Sequence, residues 1–223
     1  MTTTLAFDVY GTLIDTHGII ATLQPQLGQR AADFSRAWRE KQLEYSFRRG
    51  LMRRYETFAV CTGQALDHTC SQFGLHLGSA EREQLLDAYR TLPAFKDARE
   101  GLTRVRDAGF RLFAFSNGAA EAVGSLLVQA GLRDFFLDVV SVDEVKSFKP
   151  DPDVYAHFLR RAGATGSDAW MISSNPFDVL GALSAGMRAA WIKRSPEAPF
   201  DPWGLEPTLT VDSLSDLAAR IDA

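Results

Sequence analysis

Six short apolar runs, rich in β-branched and aromatic residues, recur along this chain with helical patterns between the later ones. That alternation restricts the fold more than any other feature of the sequence. The runs lie at Leu5–Tyr10, Arg111–Ser116, Leu137–Val142, Trp170–Ser173, Ala189–Ile192 and, more weakly, Leu209–Val211. Helical patterns occupy Ala98–Ala108, Ala119–Ala130, Asp151–Ala162, Phe177–Ala185 and Leu214–Ile221. Strands alternating with helices predict a mostly parallel sheet covered on both faces, because parallel neighbours must be joined by a crossover. Glycine follows four of these helices, at Gly109, Gly131, Gly163 and Gly186, where a left-handed cap costs a residue without Cβ least.

One stretch breaks the rhythm. From Thr16 to Leu92 the chain reads as helix throughout, with patterns at Ala31–Arg49, around Asp67–Phe73 and at Ser79–Tyr89. The sequence therefore predicts an α/β core domain from residues 1–15 and 93–223 and an inserted all-helical cap domain from 16–92. Turns at Asp15–Gly18 and at Pro93 would mark the boundaries.

Ligands of open parallel sheets bind outside the carboxyl ends of the strands, so chemistry-bearing residues should stand just after the apolar runs. Here the first run ends in Phe7-Asp8-Val9-Tyr10-Gly11-Thr12-Leu13 and the second in Ser116-Asn117-Gly118. A later loop carries Lys149-Pro150-Asp151, and another run ends in Ser173-Ser174-Asn175-Pro176-Phe177-Asp178. An acid inside an apolar strand is costly to bury unless something pairs with it, so Asp8 needs a partner. Taken alone, Asp8 reads equally well as a carboxylate bonded to loop amides, and Lys149 as a solvated surface lysine. Four strand ends bearing polar groups make a single pocket the better reading.

Together these four segments resemble the motifs of the haloacid dehalogenase superfamily, in the form seen in L-2-haloacid dehalogenases. The similarity spans essentially the whole chain, and the helical insertion falls where that family has its cap. The resemblance implies a Rossmann-like core and hydrolysis of small (S)-2-haloalkanoic acids to (R)-2-hydroxy acids through an ester on an aspartate, without metal or cofactor.

Two positions separate this reading from the phosphatases of the same superfamily. Most of those carry a second aspartate two residues after the nucleophile as general acid; here Tyr10 stands there. An alkoxide leaving group needs that proton, whereas chloride or bromide departs without one. The phosphatases also hold magnesium with acids of the fourth motif, where this chain has Ser174 and Asn175 and only Asp178 as an acid.

Carried over position by position, the resemblance makes Asp8 the nucleophile that displaces halide with inversion. Asp178 would help activate the water that cleaves the ester, with Ser173 and Asn175 positioning it, Lys149 keeping Asp8 ionised and Thr12 supporting the loop. Which group takes the proton stays open. Ser116, and in part Lys149, would bind the substrate carboxylate, and Tyr155 would order the lysine and the water. Arg39 would meet the halide with Asn117 and the ring of Phe177, while Leu43, Phe58 and Tyr10 supply apolar walls. On the expected helix Arg39, Leu43 and Phe47 share one ridge while Phe34, Trp38 and Tyr45 form another, so one face can pack as the other looks into the pocket. An ordinary amphipathic helix with one solvated arginine gives the same pattern, and Tyr155, Leu43 and Phe58 also suit plain packing roles. No chemistry is assigned to His17, His68, His76 or His157.

Composition narrows the partners. Twenty-four basic residues against 28 acidic ones leave a net charge of -4, with no basic stripe to track a phosphate backbone, so nucleic acid is not expected. No apolar run approaches the ~20 residues of a membrane span, and the start lacks the order of a signal peptide. Cys61 and Cys70, nine positions apart, suit a reduced chain in the cytoplasm, though a single disulfide between them stays open. A homodimer is implied by the resemblance. Three alternatives remain: ring opening of a small strained carboxylate such as azetidine-2-carboxylate, a magnesium-dependent small-molecule phosphatase, and a non-catalytic binding module on the same fold.

Overall fold

A computed structural model describes residues 2–221. Six strands, β1 (Thr4–Phe7), β2 (Arg111–Ser116), β3 (Asp138–Ser141), β4 (Ala169–Ser173), β5 (Arg188–Ile192) and β6 (Leu209–Val211), form one sheet in the order β3-β2-β1-β4-β5-β6. Every pairing is parallel. β1 is central, with Phe7 in register with Ala114 on one side and Ile172 on the other. The strand order reverses between β1 and β4, which is where sheets of this kind open a crevice at their carboxyl ends.

All four residues of β1 are buried, as a strand covered on both faces requires. Alternate side chains serve two separate cores: Leu5 and Phe7 join Leu112, Ala114 and Ile172 on one face, while Ala6 joins Phe113, Phe115 and Met171 on the other. Each fully buried Leu, Ile, Phe or Met side chain contributes about 1.5–3 kcal/mol.

Among the described residues nine α-helices connect and cover the strands. Four lie in the insertion: α1 (Ile20–Leu27), α2 (Ala31–Leu51), α3 (Phe58–Phe73) and α4 (Ser79–Arg90). The other five are α5 (Ala98–Asp107), α6 (Ala120–Gln129), α7 (Pro152–Ala162), α8 (Pro176–Ser184) and α9 (Leu217–Ile221). α5, α6 and α9 bury Leu102, Val123, Leu126 and Leu217 on the Leu5 face; α7 and α8 bury Val154, Phe158 and Val179 on the Ala6 face. Gly109, Gly131, Gly163 and Gly186 all have the positive φ expected of them.

Two boundaries differ from expectation. The first apolar run extends to Tyr10, but the ladder ends after the Asp8 amide donates to the Ile172 carbonyl at 2.9 Å. Beyond it Leu13 and Ile14 donate back to Val9, and Gly11 turns the chain at φ +89°, which a side chain there would strain. The run leaves the sheet because its backbone bonds close locally, and that leaves Asp8 at the strand tip. α3 begins nine residues before the pattern at Asp67. Thr57 caps it by accepting from the Val60 amide at 3.3 Å, and Thr62 bonds back to the Phe58 carbonyl. Gly63 and two threonines in this stretch weaken its periodic signal.

Candidate active site

Asp8 stands at the tip of the central strand with little of it exposed, and each of its oxygens has partners. Oδ2 accepts from Thr12 Oγ1 and from Asn175 Nδ2, both at 2.8 Å. Oδ1 receives only the Lys149 ammonium, at 3.3 Å. Thr12 comes within reach because the turn at Gly11 folds the chain back; its hydroxyl also accepts from the Ser174 amide at 2.9 Å, tying the loop after β1 to the loop after β4. Asn175 further donates to the Tyr10 carbonyl at 3.2 Å.

Lys149 is 1% exposed, and all three of its ammonium protons are used. Besides Asp8 they reach the Phe115 carbonyl at 2.9 Å and Asp178 Oδ2 at 2.9 Å, with the ammonium 4.2 Å from the centre of the Phe115 ring. Its backbone amide is held by Asn117 Oδ1 at 2.9 Å, and the Lys149–Pro150 peptide is cis. One buried cation between two carboxylates is the arrangement that makes such charges tolerable away from water.

Asp178, fully buried at the start of α8, takes a hydrogen bond from Tyr155 at 2.8 Å on Oδ1. Burial pushes its carboxyl above the ordinary range, Lys149 pulls against that, and the charge of Asp8 adds to the rise. Tyr155 is raised well above a free phenol, by burial first and then by Asp178, so it serves as a donor rather than an anion. The contact exists because Gly181, one turn after Asp178, has no side chain: a Cβ there would run into the Tyr155 hydroxyl and Pro150.

The four strand-end segments thus meet at one place, with Asp8, Thr12, Lys149, Asn175, Asp178 and Tyr155 in a single hydrogen-bonded cluster. Ser173 accepts from the Asn175 amide at 3.1 Å, and Ser116 from the Gly118 amide at 3.1 Å, so both shape loops beside the cluster. Arg39 reaches down from α2 to the Tyr10 carbonyl at 3.4 Å. Phe177 packs its ring on Phe47 of α2, with centroids 5.0 Å apart. Tyr10 lies against Phe58 and stacks on Tyr89; burial first, then Tyr89, lifts its hydroxyl above the usual phenol range and makes it a poorer acid still.

A cavity of about 190 Å³ lies between the insertion and the loop after β2, walled by Tyr10, Phe58, Leu86, Tyr89, Gly118 and Ala119 among others. It borders the cluster on the Tyr10 side. Leu43 is half-buried on α2 and takes no part in that lining.

Several residues here escaped the sequence. Gln42, Thr62 and Tyr89 form a buried polar network beside Arg39. Arg194 donates to the Thr12 carbonyl and to both oxygens of Asp97, at 2.8 and 2.7 Å, bracing the loop after β1 from behind. The bonds that link Gln42 to Thr62 and Tyr89, and Arg194 to Thr12, span 20 to 182 positions, beyond any local spacing rule. Cys61 and Cys70 are both free and buried, which answers the disulfide question, and burial pushes the Cys70 thiol up to about 11.

The donor set suits a hard cation poorly. Its two carboxylates already share one ammonium, and Ser174 and Asn175 add no charge, whereas magnesium prefers anionic oxygens in an octahedron. Among the described residues no group of three or more His, Cys, Asp or Glu is placed to hold a metal.

The family model of the haloacid dehalogenase-like hydrolases matches residues 2–186. The chain is 37% identical to the (S)-2-haloacid dehalogenase of Pseudomonas sp. (strain YL), over 94% of this chain and 90% of that protein. Haloacetate dehalogenase H-2 of Moraxella sp. (strain B) is 36% identical over 93% of this chain and 92% of its own. The structure of L-2-haloacid dehalogenase from Xanthobacter autotrophicus with chloropropionic acid covalently bound superposes with a TM-score of 0.92 at 31% identity, covering 100% of this chain and 99% of that one.

Proposed function

We propose that this chain, which belongs to the haloacid dehalogenase-like hydrolase family, converts small (S)-2-haloalkanoic acids to (R)-2-hydroxy acids through an ester on Asp8. The observation that carries this reading is the asymmetry of Asp8. Thr12 and Asn175 hold Oδ2 at 2.8 Å each, while Oδ1 has one contact at 3.3 Å and keeps a lone pair free to attack.

The steps balance without a cofactor. Oδ1 attacks C2 on the face opposite the halogen, a C–O bond forms as the C–X bond breaks, and halide leaves with its electron pair. Arg39 meets the departing anion, with Asn117 and the Phe177 ring on the same side, and Ser116 receives the substrate carboxylate. Water then adds to the carbonyl carbon of the Asp8 ester and expels the hydroxy acid, so the product oxygen on C2 comes from Asp8. Asp178, raised by burial and fixed by Lys149 and Tyr155, is the base we assign to that water. Tyr10, a weaker acid than a free phenol, protonates no leaving group, and halide needs none.

Neither alternative chemistry is favoured by the relatives, and the metal-poor donor set weakens the phosphatase further. In our reading residues 16–92 act as a cap over the sheet. No described helix is long and apolar enough to cross a membrane. We assign the enzyme to the cytoplasm as a homodimer, the free buried thiols supporting a reducing compartment and the family resemblance the dimer; sedimentation velocity tests the latter.

The deciding experiment is a single turnover of (S)-2-chloropropionate in ¹⁸O-water with enzyme in excess and EDTA present. We expect halide release, unlabelled (R)-lactate and one ¹⁸O in the peptide containing Asp8. Label appearing directly in lactate would mean that water, not Asp8, displaces the halide.

A further inference from the structure

Arg39 is a half-buried cation whose hydrogen-bond partners are both neutral: Gln42 Oε1 at 2.7 Å and the Tyr10 carbonyl at 3.4 Å. Of the other arginines of α2, Arg36 pairs with Asp33 and Arg48 with Glu44, both at the surface. Arg49 also has neutral partners, Gln64 and the Arg54 carbonyl, but those contacts are exposed and away from the Asp8 cluster. Gln42, one turn after Arg39, is fully buried, and its amide direction follows from counting protons. Thr62 spends its hydroxyl proton on the Phe58 carbonyl at 2.8 Å, so towards Gln42 it can only accept. Gln42 Nε2 must therefore face Thr62, which turns Oε1 towards Arg39 and the Tyr89 hydroxyl, the latter at 3.1 Å. Trp38 fixes the frame from the same helix face by donating to the Thr62 carbonyl at 2.9 Å.

We propose that Gln42 is a positioning residue for the departing halide: locked by Thr62 and Tyr89, its amide oxygen aims the Arg39 guanidinium while leaving its positive charge uncompensated. A carboxylate at the same place would aim the guanidinium equally well but neutralise it. An alkyl side chain would leave the charge and lose the aim. The chain uses the residue that does both. Because Tyr89 also stacks on Tyr10 at 6.1 Å, the same amide ties the halide side of the site to the wall of the cavity. The inference rests on the proposed role of Arg39 and adds a determinant of leaving-group selectivity to it.

The test is Gln42→Glu, which keeps the shape and adds the charge, measured beside Arg39→Lys, with circular dichroism confirming that both fold. For Gln42→Glu we expect kcat on (S)-2-chloropropionate to fall ~10- to 100-fold, at or below the ~10²- to 10³-fold cost of losing a charge-stabilising donor outright, because the Arg39 donors stay in place. The inhibition constant for bromide should rise by a comparable factor, and the bromo-to-chloro rate ratio should widen, because the poorer leaving group depends more on its cation. The ratio of variant to wild-type activity should recover as pH falls and the introduced carboxylate takes a proton, which a merely structural defect would not do. If Arg39→Lys leaves bromide inhibition unchanged, the assignment of Arg39 is wrong. If Arg39→Lys weakens bromide binding and Gln42→Glu does not, the assignment stands and the role of Gln42 falls. A loss of activity in Gln42→Glu that is independent of both pH and halogen would overturn it as well.

Discussion

The floor and the roof of the site are built on opposite principles. The floor, at the strand ends, holds three charges in a water-poor cluster where Asp8, Lys149 and Asp178 satisfy one another. The roof, on the helical insertion, offers Arg39, a half-buried cation with neutral partners, and a wall of aromatic rings. Charges that already satisfy one another do chemistry on whatever is placed beside them but discriminate little. A cation without a counter-ion is poised for an anion that arrives, or forms, in front of it. On the proposed mechanism the contrast gives reaction to the sheet and selection to the insertion, and each can be attacked separately.

The largest effect should come from the floor. Asp8→Asn should lower halide release by ~10⁴-fold or more, as removal of a nucleophile does in other hydrolases, with mass spectrometry excluding deamidation back to Asp. Residual activity near wild type would end the proposed mechanism. Next, Lys149→Met strands two buried carboxylates and should cost about 3–5 kcal/mol in urea unfolding. A loss below about 1 kcal/mol, the range of surface ion pairs, would mean the floor is not a coupled cluster.

The roof should respond differently. Phe58→Leu trims the ring that faces Tyr10 and lines the cavity; it should raise KM about tenfold with kcat within about twofold of wild type, since a pocket contact of this size is worth ~1–3 kcal/mol in binding. A fall in kcat as deep as the floor variants would erase the division between the two regions.

Behind the floor, Asp97 gives a smaller, pH-dependent effect. Burial pushes its carboxyl up, but Arg194, the Leu214 amide and the Ser213 hydroxyl outweigh that and hold it below the usual carboxylate range. A depressed acid stabilises the fold above its unfolded pKa and loses that contribution as pH falls through its folded value. Asp97→Asn should therefore lower stability at pH 7 by about 1–2 kcal/mol, and the gap from wild type should close as the acid range is entered. A gap that stays constant down to the acid limb would deny Asp97 its charged role.

The two regions were unequally legible in the sequence. The floor was the more legible because Asp8 and Asp178 stand at or just past apolar runs, and a parallel sheet forces strand ends together whatever their separation along the chain. Lys149, in a loop seven residues past its run, was joined to them by the family resemblance. In the roof, Arg39 stood among Arg36, Arg48, Arg49, Arg53 and Arg54, and helical spacing alone could not choose it. Gln42 read as one more polar helix residue because the two partners that lock it, Thr62 and Tyr89, sit on other helices of the insertion, 20 and 47 positions away. α2 carries apolar, polar and charged side chains around much of its circumference, so its buried face, which includes Gln42 and Ser46, was not separable by hydrophobicity. The brace from Arg194 to Thr12 spans 182 positions and left no trace that a motif could hold.

Lys149 also bears on how such a protein can change over time. A tetrahedral ammonium that satisfies a backbone carbonyl and two carboxylates at once has no equivalent among the other side chains: arginine is planar and presents its donors as a fork. Drift at that position is closed in every direction, and with it drift at Asp8 and Asp178, whose charges it balances. A lineage acquiring a new leaving group or a longer acid would have to write the change into the insertion, where single substitutions around a neutral amide can be tried without bringing down the sheet.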